Sequence, residues 1–200
     1  YTLGYQRRPG LSYDLVKRIL KECVEMGLHF VTVLGGEPFM CPYLFQMIEE
    51  HPQIFFQVYT NGTLMTKEKA EKIRDLGNAM VVVSCEGYEE ETDHWRGPGV
   101  FKKIMEDMDH LREARVLFGA SATVTKHNVD VVSSEEWIDM LLEKGIFAQM
   151  YFLYLPVNGQ GDIHLMVTPE QRNHLRKQVM HFRRTKPMFI LDFWNDGPHV

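Results

Sequence analysis

Residues 31–40 read VTVLGGEPFM: a strand-forming run that stops on two glycines, a carboxylate and a proline. The β-branched and aromatic residues of HFVTVL predict a strand over 29–34,. At its end, Gly35 and Gly36 let the backbone approach a ligand closely or adopt positive φ,. Glu37 offers an acceptor to an ammonium group, and Pro38 fixes the direction in which the chain leaves,. The four residues thus suit an amino-acid-like cation. A tight turn with a solvated glutamate is the other meaning of the same letters, so the surrounding sequence has to decide.

Outward from this stretch the chain repeats one grammar: a short apolar run, a Gly/Asn/Pro turn, then a segment of helical period. Strands are predicted at 29–34, 54–60, 79–84, 117–124 and 147–155, with helices near 13–26, 43–51, 67–76 and 100–114 between and before them,. Ser12 is the cap expected for the first helix and Gly27 its stop,. Ser133-x-x-Glu136 and Thr168-Pro169-x-Gln171 predict two further helix starts by capping box,. Crossovers of this kind build a parallel sheet, and continuous apolar runs such as MVVVS suit a sheet covered on both faces. A helix ahead of the first visible strand implies a further strand upstream of it. The segment KPMFILDFWNDGPHV departs from the grammar and reads as an additional strand leading elsewhere.

Composition bounds the function. The 200 residues are 44% hydrophobic and 24% charged with a formal net charge of -5, which fits one folded core. It gives no concentrated positive field for nucleic acid or an anionic membrane. No apolar run is long enough for a bilayer span, so the expected setting is cytoplasmic. Three cysteines, Cys23, Cys41 and Cys85, are too few and too widely spaced for a disulfide framework or a CxxC metal site,; small buried thiols are expected. The chain opens on Tyr1, and a piece of a longer polypeptide is expected.

In parallel α/β folds ligands gather at the carboxyl ends of the strands. Those ends read Gly35-Gly36-Glu37-Pro38, Thr60-Asn61-Gly62-Thr63, Ser84-Cys85-Glu86-Gly87, Thr123-Val124-Thr125 and Leu155-Pro156-Val157-Asn158-Gly159. With GGEP, TNGTL, SCEG and the following TDHWRG in this order, the chain resembles the radical S-adenosylmethionine (radical SAM) enzymes over nearly its whole length. KPMFILDFWNDGPHV resembles, less specifically, the bridge that in one branch leads to a cysteine-rich SPASM domain.

The resemblance implies a partial (βα)6 TIM-like barrel with its first strand and cluster loop missing, residues 1–186 forming the core and 187–200 the start of the bridge. It implies S-adenosylmethionine held by Gly35, Gly36, Glu37 and Pro38 at the methionyl amine. Ser84 and Arg96 would approach the methionyl carboxylate, Asn61 would line the pocket, and Thr123 and Leu155 would approach ribose and adenine. It also implies a four-iron four-sulfur cluster whose CxxxCxxC ligands lie outside this chain, since Cys23, Cys41 and Cys85 do not match that loop. A 5′-deoxyadenosyl radical would then abstract hydrogen from a peptide or small-molecule substrate, with an electron donor such as flavodoxin or ferredoxin. Each residue also has a plainer reading: Arg96 as an ion-pair partner, Asn61-Gly62 as a turn, Ser84 as a strand-end hydrogen bond. A cluster-free binding domain of the same scaffold and an unrelated phosphate-binding α/β barrel stand as alternatives; the latter expects clustered helix N-termini rather than a carboxylate.

Overall fold

The computed structural model describes residues 10–156 and 161–196. Ser12 caps α1 (Tyr13–Glu25) by accepting from the Leu15 amide, and Gly27, at φ 77°, lets the chain turn out of it,. The strands are β1 (Phe30–Val33), β2 (Phe55–Thr60), β3 (Ala79–Ser84), β4 (Phe118–Val124), β5 (Ala148–Leu153) and β6 (Phe189–Asp192). They form one sheet in chain order, every neighbouring pair parallel. Between them run α2 (Leu44–Glu50), α3 (Lys67–Leu76), α4 (Glu89–Arg96), α5 (Val100–Glu113), α6 (Val129–Val132), α7 (Glu135–Glu143) and α8 (Pro169–Thr185). The sheet curls into a half-barrel; the repeating grammar anticipates its parallel strands and crossover helices, and the resemblance anticipates its barrel form.

The strand ends of KPMFILDFWNDGPHV find a nearer place than expected. Phe189–Asp192 does not lead away but pairs parallel with β5, from Ala148↔Phe189 to Tyr151↔Asp192. The strand expected ahead of α1 lies outside the described residues, among which β1 and β6 are the edges of the sheet.

Alternation along the strands separates two faces. On the convex face Val81, Val83, Phe118, Ala120, Tyr151 and Ile190 are buried against Ile104, Met108, Leu111, Trp137, Leu141 and Phe182 of the helices. On the concave face Met80, Val82, Ala148 and Met150 make a smaller cluster with Tyr59, Phe152 and Leu191. Both faces are covered, as the continuous apolar strands lead one to expect, but by different means: helices pack on the convex face, while curling turns the inner side chains toward one another. Gly119 marks the tightness of that curl, because a Cβ there would stand 2.8 Å from the Ala148 carbonyl oxygen,.

Local signals placed most of the helices. Thr168 and Gln171 form the reciprocal capping box of α8,. The other box is displaced: Ser134, not Ser133, caps α7 and accepts from the Trp137 amide. The cause is α6, whose last turn claims Ser133 through the hydrogen bond that its backbone N–H donates to the Val129 carbonyl. Neither α6 nor α4 was anticipated. The sequence of α4, EEETDHWR, shows no apolar stripe, and Thr92 is its buried residue. Among the described residues no helix is long and apolar enough to cross a membrane.

Candidate functional site

The concave face encloses a cavity of about 1370 Å³ whose walls include Gly35, Gly36, Asn61, Ser84, Arg96 and Thr123. Residues spread from 35 to 123 in sequence are thus brought to one hollow at the carboxyl ends of β1 to β4. Parallel pairing explains the convergence, since it puts every strand end on the same rim. Glu37 and Pro38 stand just behind that wall, and Leu155 is 43% exposed and outside it. The expected loop residues Val157, Asn158 and Gly159 lie outside the described residues.

The GGEP loop is held from behind. Glu37 caps a short 3-10 turn, Pro38–Met40, accepting from the Phe39 amide at 3.0 Å. The same carboxylate accepts from the Thr60 hydroxyl at 2.8 Å and from the Asn61 amide at 2.8 Å. It therefore ties the end of β1 to the end of β2, and its oxygens are largely occupied by the protein itself. Gly35 and Gly36 face the other way, and a Cβ on either would meet nothing within 4 Å. No packing contact asks for glycine there; side chains would instead take up space at the cavity wall, as a close backbone contact with a ligand requires.

Asn61 combines both readings offered for it. Its Oδ1 accepts from the Thr63 amide and hydroxyl, which makes the turn, while the residue lines the cavity. Gly62 is fixed by that turn: its φ is 68°, and a Cβ would come within 2.6 Å of Val83.

Arg96, on α4, grips Glu86 through both Nε and Nη2, the latter at 2.7 Å. The Glu86 side chain is 2% exposed and that of Arg96 21%. Glu86 is further placed by its main chain, whose amide donates to the Thr92 hydroxyl and whose carbonyl accepts from Asn128 Nδ2 at 2.8 Å. A bidentate fork of this kind fixes the guanidinium plane at the cavity wall. Ser84 accepts from the Ser121 hydroxyl at 3.3 Å, so two small hydroxyls from β3 and β4 share that wall. Thr60 and Glu86 stand among the strand-end residues read from sequence but without a role of their own, and Ser121 carries no such signal. Glu86 sat inside the quoted SCEG motif, and a carboxylate ten residues ahead of an arginine carries no local sign of pairing.

The cysteines sit where chemistry is not favoured. Cys85 is buried and its thiol is pushed up to about 12 by that burial, partly offset by the Thr92 hydroxyl,. Cys23 and Cys41 are only partly buried, which corrects the expectation of buried thiols for those two. Tyr151 is core: wholly buried, it donates to the Val132 carbonyl at 2.6 Å. Among the described residues no three His, Cys, Asp or Glu side chains gather as a metal set. The ligands of an iron-sulfur cluster are not found among them, whereas the glycine-lined wall with its hydroxyls and guanidinium fits an amino-acid-bearing cofactor.

Comparison with known proteins gives this geometry a family. A sequence model of the radical SAM superfamily matches residues 4–141. An AdoMet-dependent heme synthase of Methanosarcina barkeri is 32% identical over 163 residues, 80% of this chain and 46% of that protein. The mycofactocin maturase MftC of Mycolicibacterium smegmatis is 27% identical over 180 residues, 82% of this chain and 43% of that protein. The chain spans about half the length of the curated relatives it matches. SuiB of Streptococcus suis shares the fold at a TM-score of 0.80 and 19% identity, over 96% of this chain and 45% of its own. Its S-adenosylmethionine-bound and SuiA-peptide-bound structures superpose at 0.78 and 0.74. Members of this family are enzymes that use S-adenosylmethionine and a four-iron four-sulfur cluster. The chain belongs to the radical SAM superfamily.

Proposed function

We propose that this chain forms the S-adenosylmethionine-holding core of an enzyme that removes hydrogen from a substrate lodged against the concave face. One observation carries the reading: Gly35, Gly36, Asn61, Ser84, Arg96 and Thr123, from separate strand ends, share one cavity. Backbone carbonyls of Gly35 and Gly36 would accept from the methionyl ammonium. Glu37 would hold that loop in place and add negative charge behind it. The Ser84 hydroxyl and the Arg96 guanidinium would face the methionyl carboxylate, Thr123 the ribose and Leu155 the adenine. With a cluster ligated by residues outside those described, the cofactor supplies the hydrogen-abstracting radical. The protein's share is to orient it and keep water from the cavity.

Peptide substrates are the leading reading for the parent protein, supported by the maturase names among its relatives and by the peptide-bound SuiB structure. A heme-type macrocycle is the second, favoured by the heme synthase at 32% identity. Residues 187–200 would lead toward a SPASM-like domain, and a flavodoxin or ferredoxin would deliver electrons.

The test is anaerobic reconstitution of the full-length protein. We expect iron and sulfide at cluster stoichiometry and 5′-deoxyadenosine on reduction with S-adenosylmethionine. Tight cofactor binding without 5′-deoxyadenosine would point to a cluster-free binding domain. No measurable S-adenosylmethionine binding by calorimetry would overturn the assignment of the cavity.

A further inference from the structure

The cavity has two chemically different sides. Every polar side chain of the wall, the guanidinium included, lies on the β1–β4 side, beside apolar Met80, Trp95 and Val100, whereas β5, β6 and Phe193 just beyond it contribute apolar groups alone, among them Met150, Phe152 and Leu191. Arg96 is the one formally charged residue in the wall among the described residues, and Glu86 already grips it. The polar groups deeper in are matched to each other: Thr32 donates to Gln57 Oε1 at 3.2 Å, and the Tyr59 hydroxyl meets the Met150 sulfur at 2.8 Å.

Along the apolar side runs a ladder of rings. Tyr59 meets Phe152 edge-on at 6.2 Å, Phe152 meets Phe193 at 5.4 Å, and Phe193 meets Trp194 edge-on at 5.4 Å. The ladder starts half-buried and ends with Phe193 at 60% and Trp194 at 44% exposure. Of these two Phe193 also walls the cavity, and an exposed ring in a cavity wall is a poor candidate for a merely solvated surface.

They are also held in place. Phe193 donates its amide to the Tyr151 carbonyl, and the turn it opens is closed by the Asn195 and Asp196 amides on the Asp192 carbonyl. Two arginines of α8 brace that turn from behind. Arg172 donates to Asn195 Oδ1 and the Trp194 carbonyl, and Arg183 donates to Asp196. With the backbone of the turn fixed this way, only ring torsions remain to be ordered when a ligand stacks on Phe193.

We propose that the β5–β6 side of the cavity seats an uncharged aromatic group of the substrate against Phe152 and Phe193, with Trp194 at the outer lip. This rests on the functional reading above and names the substrate chemistry that the reading left open. Stacked and edge-on rings attract beyond their buried area, and a charged group would be desolvated there without a partner.

The experiment uses the full-length protein and the uncharged fluorophore N-phenyl-1-naphthylamine. We expect saturable single-site binding, weakened about tenfold or more by Phe193→Asp and kept within about threefold by Phe193→Trp. Phe193 is well exposed, so neither change endangers the fold. In competition, neutral 1-naphthamide should displace the probe at a concentration about tenfold lower than 1-naphthoate needs. Wild-type affinity in Phe193→Asp, or equal displacement by the carboxylate, overturns the proposal. S-adenosylmethionine titrated into the same samples separates the two ideas: lost cofactor binding with the aromatic preference intact would remove the functional reading alone.

Discussion

At the scale of single residues, the site is built from carboxylates that face away from it. Glu37 accepts from the Phe39 and Asn61 amides and the Thr60 hydroxyl, so its first effect is on the shape of the GGEP loop. Glu37→Ala should destabilise the protein by about 1.5–3 kcal/mol, the range of a hydrogen bond to a charged group, and weaken S-adenosylmethionine binding with it. Urea denaturation and calorimetry check the two together; unchanged values in both would remove Glu37 from the site. Glu86 and Arg96 make the complementary case. Arg96→Ala strands a carboxylate that is 2% exposed, and breaking such a pair from one side costs about 3–5 kcal/mol. The double change Glu86→Leu with Arg96→Met should cost clearly less, because no charge is left unpaired. Equal losses in the single and double variants would show that the pair carries no coupling.

At the scale of elements, the curl of the sheet decides where the site can lie. Tyr59 and Met150 stand on β2 and β5, with two strands between them in the sheet, yet their side chains touch. Such contact needs a tightly bent floor, and Gly119 in β4 is where a larger residue would not fit. Gly119→Ala pushes a methyl against a backbone carbonyl that is fixed by strand pairing, which should cost about 1–3 kcal/mol as overpacking. Thermal melting measures this, and a melting temperature equal to wild type would show that the β4–β5 step has room to spare. The helices were easier to anticipate than this bend. Ser12, Thr168 and Gln171 carry their capping role in sequence, because a cap is a contact between near neighbours. The Ser133 expectation failed by one residue because α6 competes for the same serine.

At the scale of the whole molecule, α8 and β6 close the fold around a buried acid. Asp192 is 1% exposed, and burial raises its carboxyl above the ordinary 3.8, with the Asn195 hydrogen bond opposing and the Asp196 charge adding to the rise,. Above 3.8 the folded form therefore binds more protons than the unfolded chain, so stability should fall as pH rises through the window up to the raised value,. Asp196 works in the other window. Burial opposes ionisation there, but the Arg183 hydrogen bond and charge win, so its carboxyl is lowered and its stabilisation is lost only on acidification below 3.8. Asp192→Asn should abolish the first slope and leave the second. Urea midpoints measured across both windows decide this, and an unchanged profile would show that Asp192 titrates as it does in the unfolded chain.

The sequence by itself determined the order of β1 to β5 and of the helices other than α4 and α6, and the GGEP, TNGTL and SCEG strand ends. These are local properties: period, capping and turn chemistry act over a few residues, and parallel crossovers then place every strand end on one side. What only the tertiary structure decided was how those residues are used. The Glu86–Arg96 fork, the tie of Glu37 to Thr60 and Asn61, and the aromatic ladder from Tyr59 to Trp194 join residues that lie on different elements. No periodicity records such pairings, because they arise only when separate strands, loops and helices are packed together; of the three, the ladder alone needs the curl of the sheet.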